Sequence, residues 1–571
     1  MINKSCSQEL YHTSAINIFY ICFGIMEKEH NFAEITRQDN MKKTISFISI
    51  LLAAVITGAS CSGKNKAENK QESDIITDST FATIEEKKET ITALPDTAYA
   101  SASLLKYKVE IIDTVTGPEI VDFSDPYNDS PGIFTFRGNT RRDASYDGRV
   151  EGRPDTIIVD WEFNTSMTPP DTTATDWGGG SGWTGQPVYV NWPDSIVKSL
   201  KASGVVNANF KNHEIIVGSL CHMLYFIDLE TGKPSRQAID VRNPIKGSVS
   251  LDPSLNGNLY VGQGVPVNRP FGHLVIDLNK GRISKTIPED HKAQRRWGAF
   301  DSSPLKVDKF LFWPGENGTL YKYVCRKGEI SLHSALRYTR NGVAPGMEAS
   351  ISVYRNYGYT ADNHGNVVCT NLNTLRPVWC FANGDDTDAT VVVCEEEGKP
   401  YVYTGNEVDR KPDGPAYFRK LNALTGELIW EASLPGKRAD VGNKHFDGGY
   451  YASPLPGKGN CSGLIFSNCV ANTNKQNGDF IAIDRKNGKI VYRVSLKNYS
   501  WSSPVGFLNE KDEMFIFTGD TYGNAYLING IDGKVLCKKK VGNNFESSPV
   551  VIGNQVVVGS RGNSIYKMTI R

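Results

Sequence analysis

Eight residues, each just ahead of a short run of small residues, are the ones whose types could do chemistry together: Thr184, Lys246, Asp301, Glu348, Asp388, Tyr451, Trp501 and Glu546. If the runs they precede converge, four carboxylates, a lysine and two aromatics face one funnel. Such a funnel suits a cation, an amine or a hydroxyl-rich ligand, with Trp183, Tyr450, Tyr451 and Trp501 as flat apolar walls. Clustered oxygens could also hold Ca²⁺. The structural alternative is that each acid accepts hydrogen bonds from a neighbouring segment.

Other motifs carry less. The loop Asp176 to Trp183 is glycine-rich but has no lysine and no following helix, so it is not a phosphate loop. Its two tryptophans suit sugar or peptide stacking, or packing over a channel mouth. His291, Arg295, Arg296 and Trp297 read as a solvated basic loop, or else as a contact for an anionic ligand or partner, and Glu395 to Glu397 as a solvated hairpin tip. His445 and Asp447 have no serine in a strained turn nearby, so a hydrolase triad is unsupported. No residue is assigned a catalytic role.

What must position the eight is a repeat. Gly turns such as Asp228-Leu-Glu-Thr-Gly-Lys233, Asp277-Leu-Asn-Lys-Gly-Arg282 and Asp484-Arg-Lys-Asn-Gly-Lys489 recur between apolar strands. Their key positions are Gly232, Gly281, Gly328, Leu375, Gly426, Gly488 and Gly533, at intervals of 45 to 62 residues. All-strand patterning at this period predicts a β-propeller of four-stranded antiparallel blades. The first blade is expected to start at Thr184, with strands near 214–219 and 223–228, and the next six near 246–290, 299–340, 347–383, 387–435, 448–496 and 500–542. A short helix is expected after Asp194, in the long connection of the first blade. The C-terminus supplies three strands of a further blade, and Thr156 to Phe163 supplies its fourth. Trp161 there resembles Trp379 and Trp430, which follow their own turns. The predicted fold is thus all-β, an eight-bladed propeller over 156–571 closed by its N-terminal strand 156–163, which removes an open sheet edge.

The 571 residues carry 63 Lys+Arg against 63 Asp+Glu, a balance that argues against a nucleic-acid partner. Met41-Lys-Lys43 followed by the apolar run Leu51 to Ile56 reads as a signal peptide over 41–60, too short to remain across a bilayer. It ends in small residues and Cys61, the pattern of a lipoprotein signal with Cys61 lipidated, which would anchor the protein to a membrane. Residues 1–40 read as a mis-called start, 61–104 as a flexible tether and 105–155 as a lead-in. None of the 11 cysteines forms a Cys-x-x-Cys, so zinc-ribbon and c-type haem readings lack support. A Cys369–Cys380 pairing is left open.

The Ser-Ser-Pro entries at Ser302, Ser502 and Ser547, the Val-Gly strand ends at Gly218, Gly262 and Gly559, and the Asp-Leu-Glu-Thr-Gly-Lys turns resemble the PQQ-like, quinoprotein-type propeller repeat. Phe136-Arg-Gly-Asn139 is similar to the entry segment of such proteins. That family includes quinoprotein alcohol dehydrogenases and the lipoprotein subunit of the outer-membrane β-barrel assembly machine. The dehydrogenases carry a vicinal disulfide over the quinone, and no Cys-Cys pair occurs here. The resemblance therefore implies a non-catalytic, monomeric, lipid-anchored module of the cell envelope, at the outer membrane, binding an envelope protein or a small ligand and needing no cofactor. A periplasmic PQQ/Ca²⁺-dependent dehydrogenase and a glycan-binding surface lipoprotein are the alternatives.

Overall fold

Alternation of apolar and polar residues decides which strands lie inside each blade. Second strands such as Phe310–Gly315 and Met514–Gly519 are buried along their whole length, whereas outer strands such as Leu428–Lys437 and Ile490–Leu496 bury every other residue. The structure is a computed structural model that describes residues 91–571, except 115–118, 146–147, 167–178, 183–184, 327, 442–443 and 471–476.

Eight blades surround one axis. Their inner strands are Val188–Asn191, Ser250–Leu251, Leu305–Val307, Ser352–Tyr354, Val392–Glu396, Leu455–Pro456, Val505–Leu508 and Val550–Ile552. The last blade takes Ile157–Asn164 as its outer strand, in antiparallel register with Ser564–Ile570 (Ile565 opposite Phe163, Ile570 opposite Ile157). The ring therefore closes by sharing the two ends of the repeat. The helix expected in the first blade is Asp194–Ala202, with Val197 and Leu200 buried.

All seven turn positions named from sequence have φ between +58° and +82°, Leu375 included. At Gly426 the requirement is twofold, since an added Cβ would also lie 2.6 Å from the Trp379 ring of the preceding blade. This contact is a blade-to-blade lock. Trp379, Trp430 and Trp161 donate their indole N–H to the carbonyls of Ala423, Arg485 and Leu229 at 3.0, 2.8 and 2.9 Å, each in the next blade. Trp161→Phe keeps the ring but loses that bond, so a drop of about 1 kcal/mol in unfolding free energy is expected by urea titration.

Around the axis the small-residue entries bind one another. The N–H of Ser303 donates to Ser350 Oγ at 2.8 Å, Ser350 to Thr390 at 3.0 Å, Thr390 to Ser453 at 3.1 Å, Ser453 to Ser503 at 3.0 Å and Ser503 to Ser548 at 3.2 Å. Ser548 N–H reaches Gly185 O at 3.1 Å, and Gln186 N–H reaches Ser248 Oγ at 2.7 Å. The hydroxyls do more than save space: they satisfy backbone donors that the converging strands leave without ladder partners.

The lead-in crosses the end of this channel and touches every blade in turn. Ile133 pairs with Tyr189, Phe134 O accepts from Leu251 N–H, and Thr135 Oγ1 meets Ser303 Oγ. Thr140 O and Arg141 O accept from Val353 and Val393, Arg137 donates to Pro454 O and Pro504 O, and Arg149 N–H reaches Gly553 O. Upstream, Leu105–Ile111 adds a fifth strand to the outer edge of the third blade. Residues 91–104, assigned to the tether by composition, instead lie against the fourth blade, with Tyr99 N–H on Val378 O at 2.7 Å and Leu94 N–H on Asn356 Oδ1 at 2.8 Å. Cys61 and the signal segment lie outside the described residues.

One open question is answered and one expectation is corrected. Cys369 and Cys380 are both free and occupy separate core clusters; Cys369 sits opposite Trp379, which turns Cys380 to the other face of the sheet. Glu396 is no solvated tip residue, since it ends a strand and binds Lys420 at 2.8 Å and Arg485 at 3.0 Å.

Candidate functional site: an acidic funnel

Segments entering the inner strands of blades two to six bring five of the eight sequence candidates together. Asp301, Glu348, Asp388 and Tyr451 line one cavity of about 20 Å³, with Phe136 of the lead-in and the hydroxyls of Ser248, Ser350, Thr390 and Ser453. Lys246 lies alongside, its ammonium against Asp301 and 3.9 Å from Glu348. Trp501 is stacked behind Tyr451, ring centroids 4.6 Å apart, and both are buried. Tyr450 turns away from the funnel to pack edge-on against Phe418 at 5.3 Å. Glu546 stands apart, held by Asn544 at 2.8 Å and Arg561 at 3.0 Å. Trp183 and Thr184 lie outside the described residues.

The structure adds three acids that the sequence reading missed. Glu316 follows the second strand of blade three, and Asp386 and Glu407 come from the loops of blade five. The carboxylates form two triads, Asp301–Glu316–Glu348 and Asp386–Asp388–Glu407, each with oxygens within 4.8 Å of one another. The available signal was the residue just past the glycine-ended second strand: Gly315-Glu316 follows the same rule as Gly218 and Gly262. Glu407 is placed by a short pairing with Gly449, part of the insertion that stretches the interval between Gly426 and Gly488.

The two triads differ electrostatically. The first is flanked by cations: besides Lys246, Arg295 reaches Glu316 at 3.2 Å and Trp297 N–H reaches it at 2.6 Å. The basic loop thus caps the funnel rim through Arg295 and Trp297. In the second triad, Asp388 accepts from Tyr451 O–H at 2.7 Å and Glu407 from Asp388 N–H at 2.8 Å. No described lysine or arginine forms an ion pair with Asp386, Asp388 or Glu407.

Burial pushes the Asp301 carboxyl up to about 7, against the pull of Lys246. Burial, then the neighbouring acids, raises Glu316, Asp386, Asp388 and Glu407 well above the carboxylate range. Glu348 goes the other way: burial opposes its charge, but Lys246, together with hydrogen bonding to its carboxylate and Arg295, outweighs burial and holds the group low. The arrangement can store protons or receive positive charge.

Residues 476–571 match a family model described as "Outer membrane protein assembly factor BamB". A curated protein of that description from Moranella endobia (strain PCIT) is 22% identical over 252 residues, 42% of this chain and 53% of the relative, so the chain spans about half the length of the relative it matches. Among solved structures, a europium-containing methanol dehydrogenase superposes with TM-score 0.54 and 13% identity, covering 78% of this chain and 99% of that one. The quinohemoprotein alcohol dehydrogenase of Comamonas testosteroni gives TM-score 0.54 and 13% identity, covering 77% and 80%. At these identities the structural likeness is one of fold. With eight blades, a shared closing blade and this repeat, the chain is a PQQ-like β-propeller.

Proposed function

We propose that the protein is a non-catalytic binding and assembly module of the cell envelope, held at the outer membrane through a lipid on Cys61. It receives a protein partner at the funnel and its rim. The observation that carries this reading is the funnel itself, a rigid cavity of about 20 Å³ in a closed ring, with its far end crossed by the lead-in. Pockets that bury ligands of quinone size run to about 300 Å³ or more, so PQQ does not fit these residues as arranged. Calcium alone asks only for clustered oxygens, which either triad supplies. The glycan reading lacks a platform among the described residues of the funnel, because Trp501 and Tyr451 are buried against each other. The partial family match to an assembly factor supports the module reading.

The test is capture from envelope extracts with the intact lipoprotein, comparing wild type with Asp388→Asn and Trp297→Ala. A protein retained by wild type and depleted about tenfold by the funnel variants is the expected result. Stoichiometric uptake of added PQQ with Ca²⁺, seen as a bound quinone spectrum, sinks the reading in favour of a dehydrogenase.

A further inference from the structure

We propose that the funnel is a receptor for a primary ammonium group, seated between the Asp386–Asp388–Glu407 triad and Asp301. The proposal rests on the module reading only in taking the funnel as the docking site. Four observations carry it. First, the cavity of about 20 Å³ has room for one water-sized group and not for a ring. An ammonium is that size and brings three donors.

Second, buried acceptors point into this space unused. Asp301 is only 8% exposed and lines the cavity, yet its Oδ1 has no hydrogen-bond partner among the described residues. Asp388 lines the same cavity, and its Oδ1, like that of the neighbouring Asp386, has no hydrogen-bond partner among the described residues. A buried acceptor without a donor is destabilising, so a donor entering here is favoured.

Third, the two triads differ in one respect only that matters. The first already holds an ammonium, that of Lys246, between Asp301 and Glu348. The second is likewise three carboxylates, and no described lysine or arginine forms an ion pair with it. The molecule thus displays, one blade away, how an alkylammonium sits among such carboxylates. Fourth, the lead-in obstructs one approach: Phe136 lines the cavity, and the segment that carries it is bound to every blade. A group on the end of a flexible chain can therefore enter, and the chain it hangs from must remain at the rim.

The chemistry is shared by a lysine side chain of a protein and by a free aliphatic amine. The purified protein is titrated calorimetrically at pH 8 with n-butylamine, tetramethylammonium and CaCl₂, while tryptophan fluorescence reports on Trp501. Saturable binding of butylamine, absent for tetramethylammonium and weakened about tenfold by Asp388→Asn, is the expected result. Lys246→Ala should open a second seat, and its lowered melting temperature should be restored by butylamine. Equal binding of tetramethylammonium, or no binding of butylamine, overturns the proposal. So does Ca²⁺ that binds and excludes the amine, which would make this a metal site. A peptide ending in lysine, compared with its ε-acetylated form and with 1,4-diaminobutane, separates the sources. Tenfold tighter binding of the unmodified peptide assigns a protein lysine, and the reverse assigns a small amine. Amine binding without any captured protein removes the module reading and leaves the site standing.

Discussion

Between about pH 5 and pH 8 the folded protein should lose stability as pH rises, by about 3 kcal/mol from Asp301 alone. Its carboxyl titrates near 7 in the fold, raised by burial, against 3.8 ordinarily. In that window the native state therefore binds more protons than the unfolded chain. The stability linked to this proton is fully present below about pH 4 and disappears as pH climbs through 7. Glu316, Asp386, Asp388 and Glu407, also raised, add to the effect in the same direction. Glu348, held low by Lys246, has the opposite sign, but its contribution is complete once pH exceeds its ordinary range. Lys246, its ammonium held against Asp301 and near Glu348, remains charged throughout and limits the loss. Urea midpoints measured from pH 5 to pH 8 should fall, and Asp301→Asn, which keeps the neutral form at every pH, should flatten the curve. A flat profile for the wild-type protein would contradict the raised carboxyl.

Arg142→Ala should destabilise the fold by about 4 kcal/mol, more than any surface arginine would. The Arg142 side chain is wholly buried on the axis. Its guanidinium donates to Ile351 O at 2.9 Å, Thr135 Oγ1 at 2.7 Å, Phe136 O at 2.7 Å and Ser303 O at 2.9 Å, so it joins the lead-in to blades three and four. Truncation leaves these acceptors without donors, each at a cost of about 1–3 kcal/mol, partly relieved where water enters. Arg142 also has φ +62°, a left-handed conformation that Ala would share, so the substitution isolates the side chain. Lysine at this position retains charge but not the planar fork, and should recover less than half of the loss. Urea unfolding at constant pH measures both variants, and a loss under 1 kcal/mol for alanine would show that the lead-in is not what binds the blades together.

The repeat was legible because its turns are local. Gly232, Gly281, Gly426, Gly488 and Gly533 announce a positive φ, and Leu375 fell in the same register although its type hides it. Trp161 was legible as an outer-strand tryptophan because Trp379 and Trp430 share its setting, and its bond to Leu229 repeats theirs. The funnel was half legible. Asp301, Glu348 and Asp388 stand before recognisable small-residue entries, whereas Glu316 and Glu407 belong to loops that reach the axis from the other end of their strands. Nothing in the sequence near Glu407 indicates its pairing with Gly449, more than forty residues on.

By itself the sequence determined the all-β repeat, the eight blades and their closure by 156–163, since these follow from periodicity two along strands and from turn residues that only certain backbone angles accept. Tertiary structure alone decided the rest. It made a hydrogen-bonded chain of the Ser and Thr entries around the axis, drew residues 132–145 across the channel, and placed Lys246 beside one acid triad while no described lysine or arginine pairs with the other. These are contacts between residues far apart in the chain. They depend on which loops the closed ring brings to the axis, and no local pattern encodes that.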